Sequence, residues 1–157
     1  MDMPVETPVI RDAREDDIAA LAAIFTEDDK GGHGDTADPA ALPSYLAAFR
    51  HIAESPDNRL FVVEVGGEVV GTAQITFTTS LTGRGSSRMT IEAVQMRADM
   101  RGRGYGAVLM RRCIDFGRER GVRLVDLMSN AARTDAHRFY ERLGFAKSHV
   151  GFKMKLG

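Results

Sequence analysis

The stretch from Arg101 to Ala107 has the residue types and spacing of a binding site for a phosphorylated ligand. Three glycines alternate with other residues there, and an amphipathic helical pattern follows. Backbone N–H groups at the start of a helix lack acceptors within that helix, so they can bind an anion. Arg101 and Arg103 lie at the start of this helix, where positive charge opposes the helix dipole. A negative ligand therefore explains their presence better than helix stability does. The segment therefore predicts a pyrophosphate site.

A dinucleotide site is the alternative interpretation of the same turn. Gly102, Gly104 and Ala107 fit the pattern G-x-G-x-x-G/A, and Asp126 lies about where that pattern places its acidic partner. The turn begins after position 100, however, which leaves too little chain for a doubly wound sheet. The segment before it is also patterned as an antiparallel hairpin. The P-loop pattern does not fit, because no Lys-Ser or Lys-Thr pair follows the glycines.

Hydrophobic periodicity predicts the elements that position this turn. We expect helices over about 18–25, 39–54, 103–120 and 133–143, and strands over about 9–11, 60–65, 68–78, 88–97, 122–128 and, as one strand or a pair, 145–156. Gly66 and Gly67 form a two-residue hairpin connection, which needs positive φ. The helix from 103 is expected to bury Val108, Leu109, Cys113 and Phe116.

Length and composition indicate one globular domain over residues 1–157, because 43% of the residues are hydrophobic. No window approaches the roughly 18 apolar residues of a membrane span. The first twelve residues lack the basic and apolar regions of a signal peptide. Cys113 is the one cysteine, which excludes an internal disulfide. We therefore expect a cytoplasmic protein without membrane partners.

Charge is divided unevenly along the chain. Residues 1–83 contain 5 Lys+Arg and 15 Asp+Glu, a balance of −10, whereas residues 84–157 contain 16 and 7, a balance of +9. An acidic half beside a basic half can hold a cationic substrate against an anionic cofactor, although both faces can equally be solvated surface. The net charge of −1 argues against nucleic acid as a partner.

Two motifs in the correct order, together with the start of the chain, resemble the GNAT superfamily of N-acetyltransferases. The Arg101–Gly106 segment is similar to that family's Q/R-x-x-G-x-G/A loop, residues 137–145 to its C-terminal helix-to-strand motif, and residues 10–17 to its usual start. The resemblance spans nearly the whole chain. It implies an α/β fold with a mixed, mostly antiparallel central sheet flanked by about four helices. It also implies direct transfer of an acetyl group from acetyl-CoA to a primary amine.

Glu92 and Tyr140 are the candidate catalytic residues. Glu92 interrupts an apolar strand, and a buried carboxylate there would readily accept a proton from an ammonium, as expected of a general base. The alternative is a solvent-facing glutamate paired with Arg88 or Arg97. The resemblance implies that Tyr140 is the general acid that protonates the departing thiolate, whereas an amphipathic core tyrosine is the structural alternative.

The strand before the glycines is expected to bind the pantetheine arm through its backbone. Strict alternation would place Thr90, Glu92, Val94 and Met96 on one face. The resemblance implies a bulge that separates this strand from the next and directs an amide at the thioester carbonyl. The residues expected to bind the cofactor are Val94, Gln95, Met96, Arg101, Gly102, Arg103, Gly104, Tyr105, Gly106, Ala107, Asn130 and Arg133.

Several features leave alternatives open. Many relatives carry asparagine where this chain has Arg133, so Asn130 either replaces it or caps a helix, and Arg133 could approach a CoA phosphate. One arginine after position 110 could also reach the 3′-phosphate. The histidines lack metal-ligand spacing, so no metal is expected. A catalytically idle acetyl-CoA sensor is the alternative function, and the resemblance leaves a homodimer open.

The loop over residues 27–38 is the candidate entrance for the amine acceptor. It is rich in acids and contains three glycines, so it could attract a cationic amine and close over it. A solvated surface loop explains the same composition. The acceptor itself, whether a small molecule or a peptide amine, is not encoded in a recognisable motif.

Overall fold

The central element is a five-stranded sheet with the order β1-β2-β3-β4-β5. A computed structural model describes residues 6–28 and 33–157 of the chain. The strands are β1 (Val9–Asp12), β2 (Asn58–Val65), β3 (Glu68–Thr79), β4 (Ser87–Met96) and β5 (Leu124–Leu127). Neighbouring strands are antiparallel except for β4 and β5, which are parallel. A hairpin through Gly66 and Gly67 joins β2 to β3, with φ of 59° and 81°.

Helices cover both faces of this sheet. They are α1 (Ile18–Thr26), α2 (Leu42–Glu54), the single turn α3 (Thr82–Gly85), α4 (Tyr105–Glu119) and α5 (Thr134–Arg142). The α1 and α2 helices pack on one face against Leu60, Val62 and Val69. The α4 and α5 helices share the core of the other face, which contains residues such as Ile75 and Ile91. None of the described helices is long and apolar enough to cross a bilayer.

A buried ion pair fixes α1 to the sheet. The Arg11 guanidinium on β1 donates to both Asp17 oxygens at 2.7 and 3.0 Å and to Glu64 at 2.9 Å. Asp17 is 7% exposed and also accepts the Arg14 backbone N–H at 2.7 Å. The Arg11 hydrogen bond lowers the pKa of Asp17, although burial opposes the shift. The carboxylate therefore connects β1 to the first turn of the helix.

The expected fold class is confirmed, and three details are wrong. The doubly wound alternative is wrong, because β4 and β5 are the one parallel pair among the described strands. Residues 145–157 contain no strand. Val108 is 37% exposed, whereas Met110 is fully buried beside Leu109. Helical geometry explains why Met110 is buried in place of Val108, since Leu109, Met110 and Cys113 lie at the i, i+1 and i+4 positions of one face.

Candidate active site

A bulge in β4 opens the sheet beside β5. The register changes from Gln74↔Glu92 to Thr72↔Gln95, so β4 has one residue more than β3 between these pairs. Ala93 adopts φ of 53° at this point, which is rare for a residue with a side chain. The ladder to β5 ends at the Ile91–Leu127 pair. Among the described residues, β4 from 92 to 96 thus has no strand partner on that side.

The same bulge changes which side chains share a face. Val94 and Met96 pack against the core under α4, with Met89 and Ile91. Glu92 is exposed, and its strand neighbour Gln74 pairs with Leu60 on the face that α1 and α2 cover. The expectation that Glu92, Val94 and Met96 share one face is therefore wrong. The extra residue at the bulge reverses the alternation after it.

The glycine turn lies where β4 leads into α4. Gly102 and Gly104 adopt φ of 75° and 87°, and a Cβ added at either would meet nothing within 4 Å. Gly104 is the N-cap of α4, so the amides of the first turn after it have no acceptor within the helix. Gly106 lies close to α5, where an added Cβ would be 3.6 Å from Phe139. The open space and free amides fit a phosphate group.

The side chains around the turn have different roles from its backbone. Tyr105 is 5% exposed within the core, so only its backbone can face a ligand. The Arg101 Nε donates to the Met96 carbonyl oxygen at 3.1 Å, and Arg103 is exposed. Further along α4, Arg111 and Arg118 line a depression of about 260 Å³ together with Arg142. Asp115 lines the same depression and pairs with Arg118 at 2.9 Å, which leaves Arg111 and Arg142 as the arginines that an anionic ligand could meet there.

Glu92 lies in a polar row on the α1–α2 face of the sheet. The Thr76 hydroxyl is 3.4 Å from Glu92 Oε1 and 3.0 Å from Asn58 Oδ1. The expected burial of Glu92 is wrong, because its side chain is exposed. The exposure agrees with the solvent-facing alternative, but Arg97 binds Asp99 at 2.6 Å and Arg88 lies 3.5 Å from Asp126. Glu92 is thus accessible to a bound ligand.

Tyr140 lies on α5 within an aromatic group. Its ring centroid is 5.3 Å from that of Phe139 and 6.1 Å from that of Phe145. Burial raises the pKa of the Tyr140 hydroxyl, and the charge of Arg133 acts in the opposite direction. A raised pKa keeps the phenol protonated through neutral pH. The group can therefore donate a proton but cannot serve as a base there.

Asn130 and Arg133 are both engaged by protein groups before α5. The Asn130 Oδ1 accepts the Ala132 N–H at 2.9 Å, and the Asn130 carbonyl contacts His137 Nε2 at 2.9 Å. Asn130 thus supports the turn before the helix, but it does not cap α5, whose N-cap is Arg133. Arg133 forms a partly buried ion pair with Asp28.

The residues that follow α1 contact both the segment before the glycine turn and the start of α5, which the sequence did not reveal. Glu27 Oε2 accepts the Ala98 backbone N–H at 2.6 Å, just before the turn. Asp28, the next residue, binds Arg133 at the start of α5. The run of acids after α1 was the sequence signal for these two contacts, but the partners of Glu27 and Asp28 lie about 70 and 105 residues away.

The described part of the acidic loop forms a small pocket rather than a free charged surface. Phe25, Thr26, Asp28, His33, Gly34 and Asp35 line a cavity of about 110 Å³. The Tyr45 hydroxyl donates to Asp35 Oδ1 at 2.7 Å, which ties the loop to α2. Residues 29–32, including Asp29 and two of the loop glycines, lie outside the described residues.

Two remaining candidates have structural partners. Asp126, the acidic residue of the dinucleotide alternative, accepts the Thr90 hydroxyl at 2.5 Å and lies 3.5 Å from Arg88. Cys113 is fully buried in α4, and burial raises the pKa of its thiol to about 12. The thiol therefore packs in the core and is not a nucleophile.

Comparison with known proteins gives consistent results. Residues 18–145 match the sequence model of the acetyltransferase (GNAT) family. Streptothricin acetyltransferase of Streptomyces lavendulae is 36% identical over 94 residues, which are 59% of this chain and 47% of that protein. This chain spans about half the length of the curated relatives it matches, with 47% and 45% of the first two covered.

Solved structures share the complete fold. The crystal structure of a transcriptional regulator from Bacillus halodurans C-125 is 39% identical, with a TM-score of 0.91 over 96% of this chain and 100% of that chain. An aminoglycoside N-acetyltransferase in complex with CoA is 17% identical, with a TM-score of 0.77 over 97% of each chain. The second likeness concerns the fold alone.

Proposed function

The chain belongs to the acetyltransferase (GNAT) family, and we propose that it transfers an acetyl group from acetyl-CoA directly to a primary amine. The observation that carries this proposal is the turn at Gly102 and Gly104, which lies beside the opening between β4 and β5. The turn has space for a phosphate, and the opening has strand backbone without a partner on one side. Together they suit a cofactor with a pyrophosphate and an amide-bearing arm.

Cofactor binding would rest mainly on the backbone. The amides of the first turn of α4 bind the pyrophosphate, and Arg101 and Arg103 balance its charge. The backbone of residues 94–96 pairs with the pantetheine arm in the opening next to β5, as an added strand would. Arg133 and the arginines of the α4 depression are candidates for the remaining phosphate.

The acetyl thioester supplies an electrophilic carbonyl, and three protein groups act around it. Glu92 removes the proton from the ammonium of the acceptor, since its exposed carboxylate faces the α1–α2 side. A backbone amide near Val94 donates to the developing negative charge on the carbonyl oxygen. Tyr140, whose phenol is protonated at neutral pH, donates its proton to the thiolate of CoA. The amine loses a proton and the thiolate gains one.

The acceptor is proposed to be a small cationic amine. The acidic pocket at the end of α1 lies on the side of the first helices, and Asp35 is among its lining residues. The relative that is named for streptothricin supports an amine of small-molecule type. A cationic acceptor would be attracted by this half of the chain, whose sequence balance is −10 from 5 Lys+Arg and 15 Asp+Glu.

A regulatory acetyl-CoA sensor is the second candidate function. The observation in its favour is the name of the Bacillus halodurans structure, a transcriptional regulator that is 39% identical to this chain. The two candidates share cofactor binding and differ in turnover. Release of CoA in the presence of an amine panel supports the enzyme, whereas saturable acetyl-CoA binding with no release above the uncatalysed rate supports the sensor.

We expect acetyl-CoA, but not NAD, to raise the melting temperature, because a ligand of the native state stabilises it. Gly104→Val should abolish this rise, since the new side chain fills the space for the phosphate. Gly121→Val is the matched control, because Gly121 has φ of 74°, lies at the other end of α4 and has nothing within 4 Å of an added Cβ. Both variants carry about 1–3 kcal/mol of backbone strain. If Gly104→Val keeps the acetyl-CoA shift, the turn does not bind the phosphates.

A further inference from the structure

Four polar residues form a row across the sheet next to Glu92, which we call the cross-strand row. The register pairs each member directly with the next, in the order Asn58, Thr76, Thr90 and Asp126. The strands β2, β3, β4 and β5 thus contribute one residue each. Neighbouring strands are about 4.8 Å apart, which makes the row about 14 Å long. All four residues are partly exposed, so a ligand can reach them.

The cross-strand row borders the opening between β4 and β5. The ladder to β5 ends one residue after the Thr90–Asp126 pair, and Glu92 is the next residue of β4 beyond that end. The Thr76 hydroxyl is 3.4 Å from Glu92 Oε1. The α1 and α2 helices cover the same face farther along the strands, over residues such as Leu60. A molecule that reaches Glu92 along the uncovered part of this face therefore passes over the row.

Hydrogen bonds within the row occupy its hydroxyl protons. The Thr76 hydroxyl donates to Asn58 Oδ1 at 3.0 Å, and the Thr90 hydroxyl donates to Asp126 Oδ1 at 2.5 Å. A hydroxyl has one proton and two lone pairs, so both threonine oxygens are left to accept. The ionised carboxylates of Asp126 and Glu92 accept only. The row therefore favours a ligand that has several hydrogen-bond donors along its length.

The two amides beside the row are held to different degrees. Asn58 Nδ2 donates to Ser55 Oγ at 3.0 Å, which fixes this amide at the end of α2. Gln74 pairs with Glu92 across the sheet, and its Nε2 is 3.5 Å from Asn58 Oδ1, longer than a usual amide hydrogen bond. The Gln74 amide can thus donate to a ligand oxygen instead. Hydroxyl groups suit this set, because they donate to the row and accept from Gln74.

The charges at the row indicate how such a ligand would lie. Arg88 is 3.5 Å from Asp126 and donates to Ser80 Oγ at 3.1 Å, so a cation already adjoins the β5 end of the row. No cation pairs with Glu92 among the described residues. An ammonium therefore fits best at Glu92, with uncharged polar groups over the row.

We propose that the acceptor is an amine that carries several hydroxyl groups, such as an aminoalditol or an amino sugar, and that the cross-strand row binds those hydroxyls. The hydroxyl preference rests on the proposed acetyl transfer, because it concerns the acceptor of that reaction. The hydroxyls donate to the two threonine oxygens and to Asp126, and Gln74 donates to one of them. A plain alkyl amine offers the row no partners and removes its polar atoms from water, so it binds more weakly.

Two amines that differ only in their hydroxyls test this preference. Glucamine and n-hexylamine both have six carbons and one terminal amine, but glucamine also carries a hydroxyl on each of the other carbons. Calorimetric titration of the chain saturated with CoA measures their binding without turnover, because CoA has no acetyl group to transfer. We expect glucamine to bind about 10-fold or more tightly, as two net hydrogen bonds would give.

Substitutions in β3 and β4 connect the preference to the row. Thr90→Val removes one hydroxyl and should reduce the preference for glucamine by about 3-fold or more, while n-hexylamine binds as before. Thr90→Ser restores the hydroxyl and should restore the preference. Thr79→Val is the matched control, because Thr79 is an exposed threonine of β3 that the alternation from Thr76 places on the other face. It should leave the preference unchanged.

Equal affinity for the two amines would overturn the hydroxyl preference, as would a Thr90→Val variant that retains it in full. Acetyl transfer to n-hexylamine but not to glucamine would also overturn it, and the proposed reaction would stand. Preferential binding of glucamine without release of CoA from acetyl-CoA would support the row as a binding site and would count against acetyl transfer alone.

Discussion

Glu92 offers the most direct test of the chemistry at the scale of single residues. We expect Glu92→Gln to lower kcat by about 10²–10⁴-fold, as the loss of a general base does. The KM for acetyl-CoA should change little, because the side chain points to the α1–α2 face and the proposed phosphate site is at α4. Initial rates with both substrates varied would measure this. Full activity across the pH range would show that another group or water removes the proton.

Tyr140 is expected to act on the departure of the thiolate from the acetyl group. Tyr140→Phe removes the hydroxyl but keeps the ring contacts with Phe139 and Phe145. Turnover should fall by about 10²-fold, the lower end for an acid catalyst, because a thiolate needs little help to leave. An acyl donor with a more acidic thiol should recover part of the loss. Equal losses with both donors would assign Tyr140 a structural role. In the native chain the raised pKa of Tyr140 should keep its phenol protonated well into alkaline pH.

The side chains around β4 show where sequence reasoning reached its limit. The left-handed turn at Gly102 and Gly104 was predictable, because glycine tolerates positive φ. The sheet face on which Glu92 lies was not predictable, because one extra residue at Ala93 reverses the alternation and no residue type signals such a bulge. The partner of Arg133 was equally hidden, since Asp28 is distant in sequence.

At the scale of elements, the junction of β1 and α1 makes stability depend on pH. The pKa of Asp17 lies below its unfolded value of about 3.9. Its contribution is therefore fully present above about pH 5 and is lost as the pH falls through the lowered folded value. We expect Asp17→Asn to reduce the free energy of unfolding by about 1.5–3 kcal/mol at neutral pH, as for hydrogen bonds between charged groups.

Urea unfolding of the native chain and this variant at several pH values measures the effect. The difference between them should shrink below about pH 4, where the unfolded chain already binds a proton at Asp17, and should vanish once the folded carboxylate is protonated at lower pH. Asp12→Asn is the control, because Asp12 pairs with Arg59 but has a side chain that is 57% exposed, and such pairs contribute about 0–1 kcal/mol. A difference for Asp17→Asn that persists unchanged into acid would rule out the ion pair as its source.

The elements themselves were largely predictable, and their failures have identifiable causes. The hairpin at Gly66 and Gly67 was encoded locally by residues that tolerate positive φ. The helix after the glycine turn begins at Tyr105 rather than Arg103, because Gly104 is in the left-handed conformation. The predicted closing strand has the alternation of a strand but no ladder partner among the described residues. The alternation of apolar and polar residues indicates that a segment can form a strand, whereas its pairing depends on a neighbouring strand.

At the scale of the whole molecule, opposite charges in the two halves meet across the fold. The Asp28–Arg133 and Glu68–Arg97 pairs both join the acidic half to the basic half. Some of the charges that make one half of the sequence acidic and the other basic therefore form ion pairs within the structure rather than attracting ligands. The acidic pocket near Asp35 is where attraction of a cationic acceptor remains testable.

We expect Asp35→Asn to raise the KM for a cationic acceptor at low ionic strength and to have less effect at high salt, because solvent ions screen the charge. Asparagine keeps an oxygen that can accept the Tyr45 hydroxyl, so the loop should stay in place. Glu54→Gln is the control, since it removes one exposed charge from the same half outside the pocket. The KM for acetyl-CoA and for a neutral amine should be unchanged. If the neutral amine is affected equally, the change acts through loop structure.

The position of Cys113 has a practical consequence for measuring the proposed activity. The chain has one cysteine, and that thiol is fully enclosed with a pKa raised to about 12. A chromogenic disulfide reagent should therefore react with liberated CoA while the native protein contributes no background colour. In denaturant the same reagent should report one equivalent per chain. The colour released when Cys113 reacts in the native chain thus reports how often the core opens, without any added label.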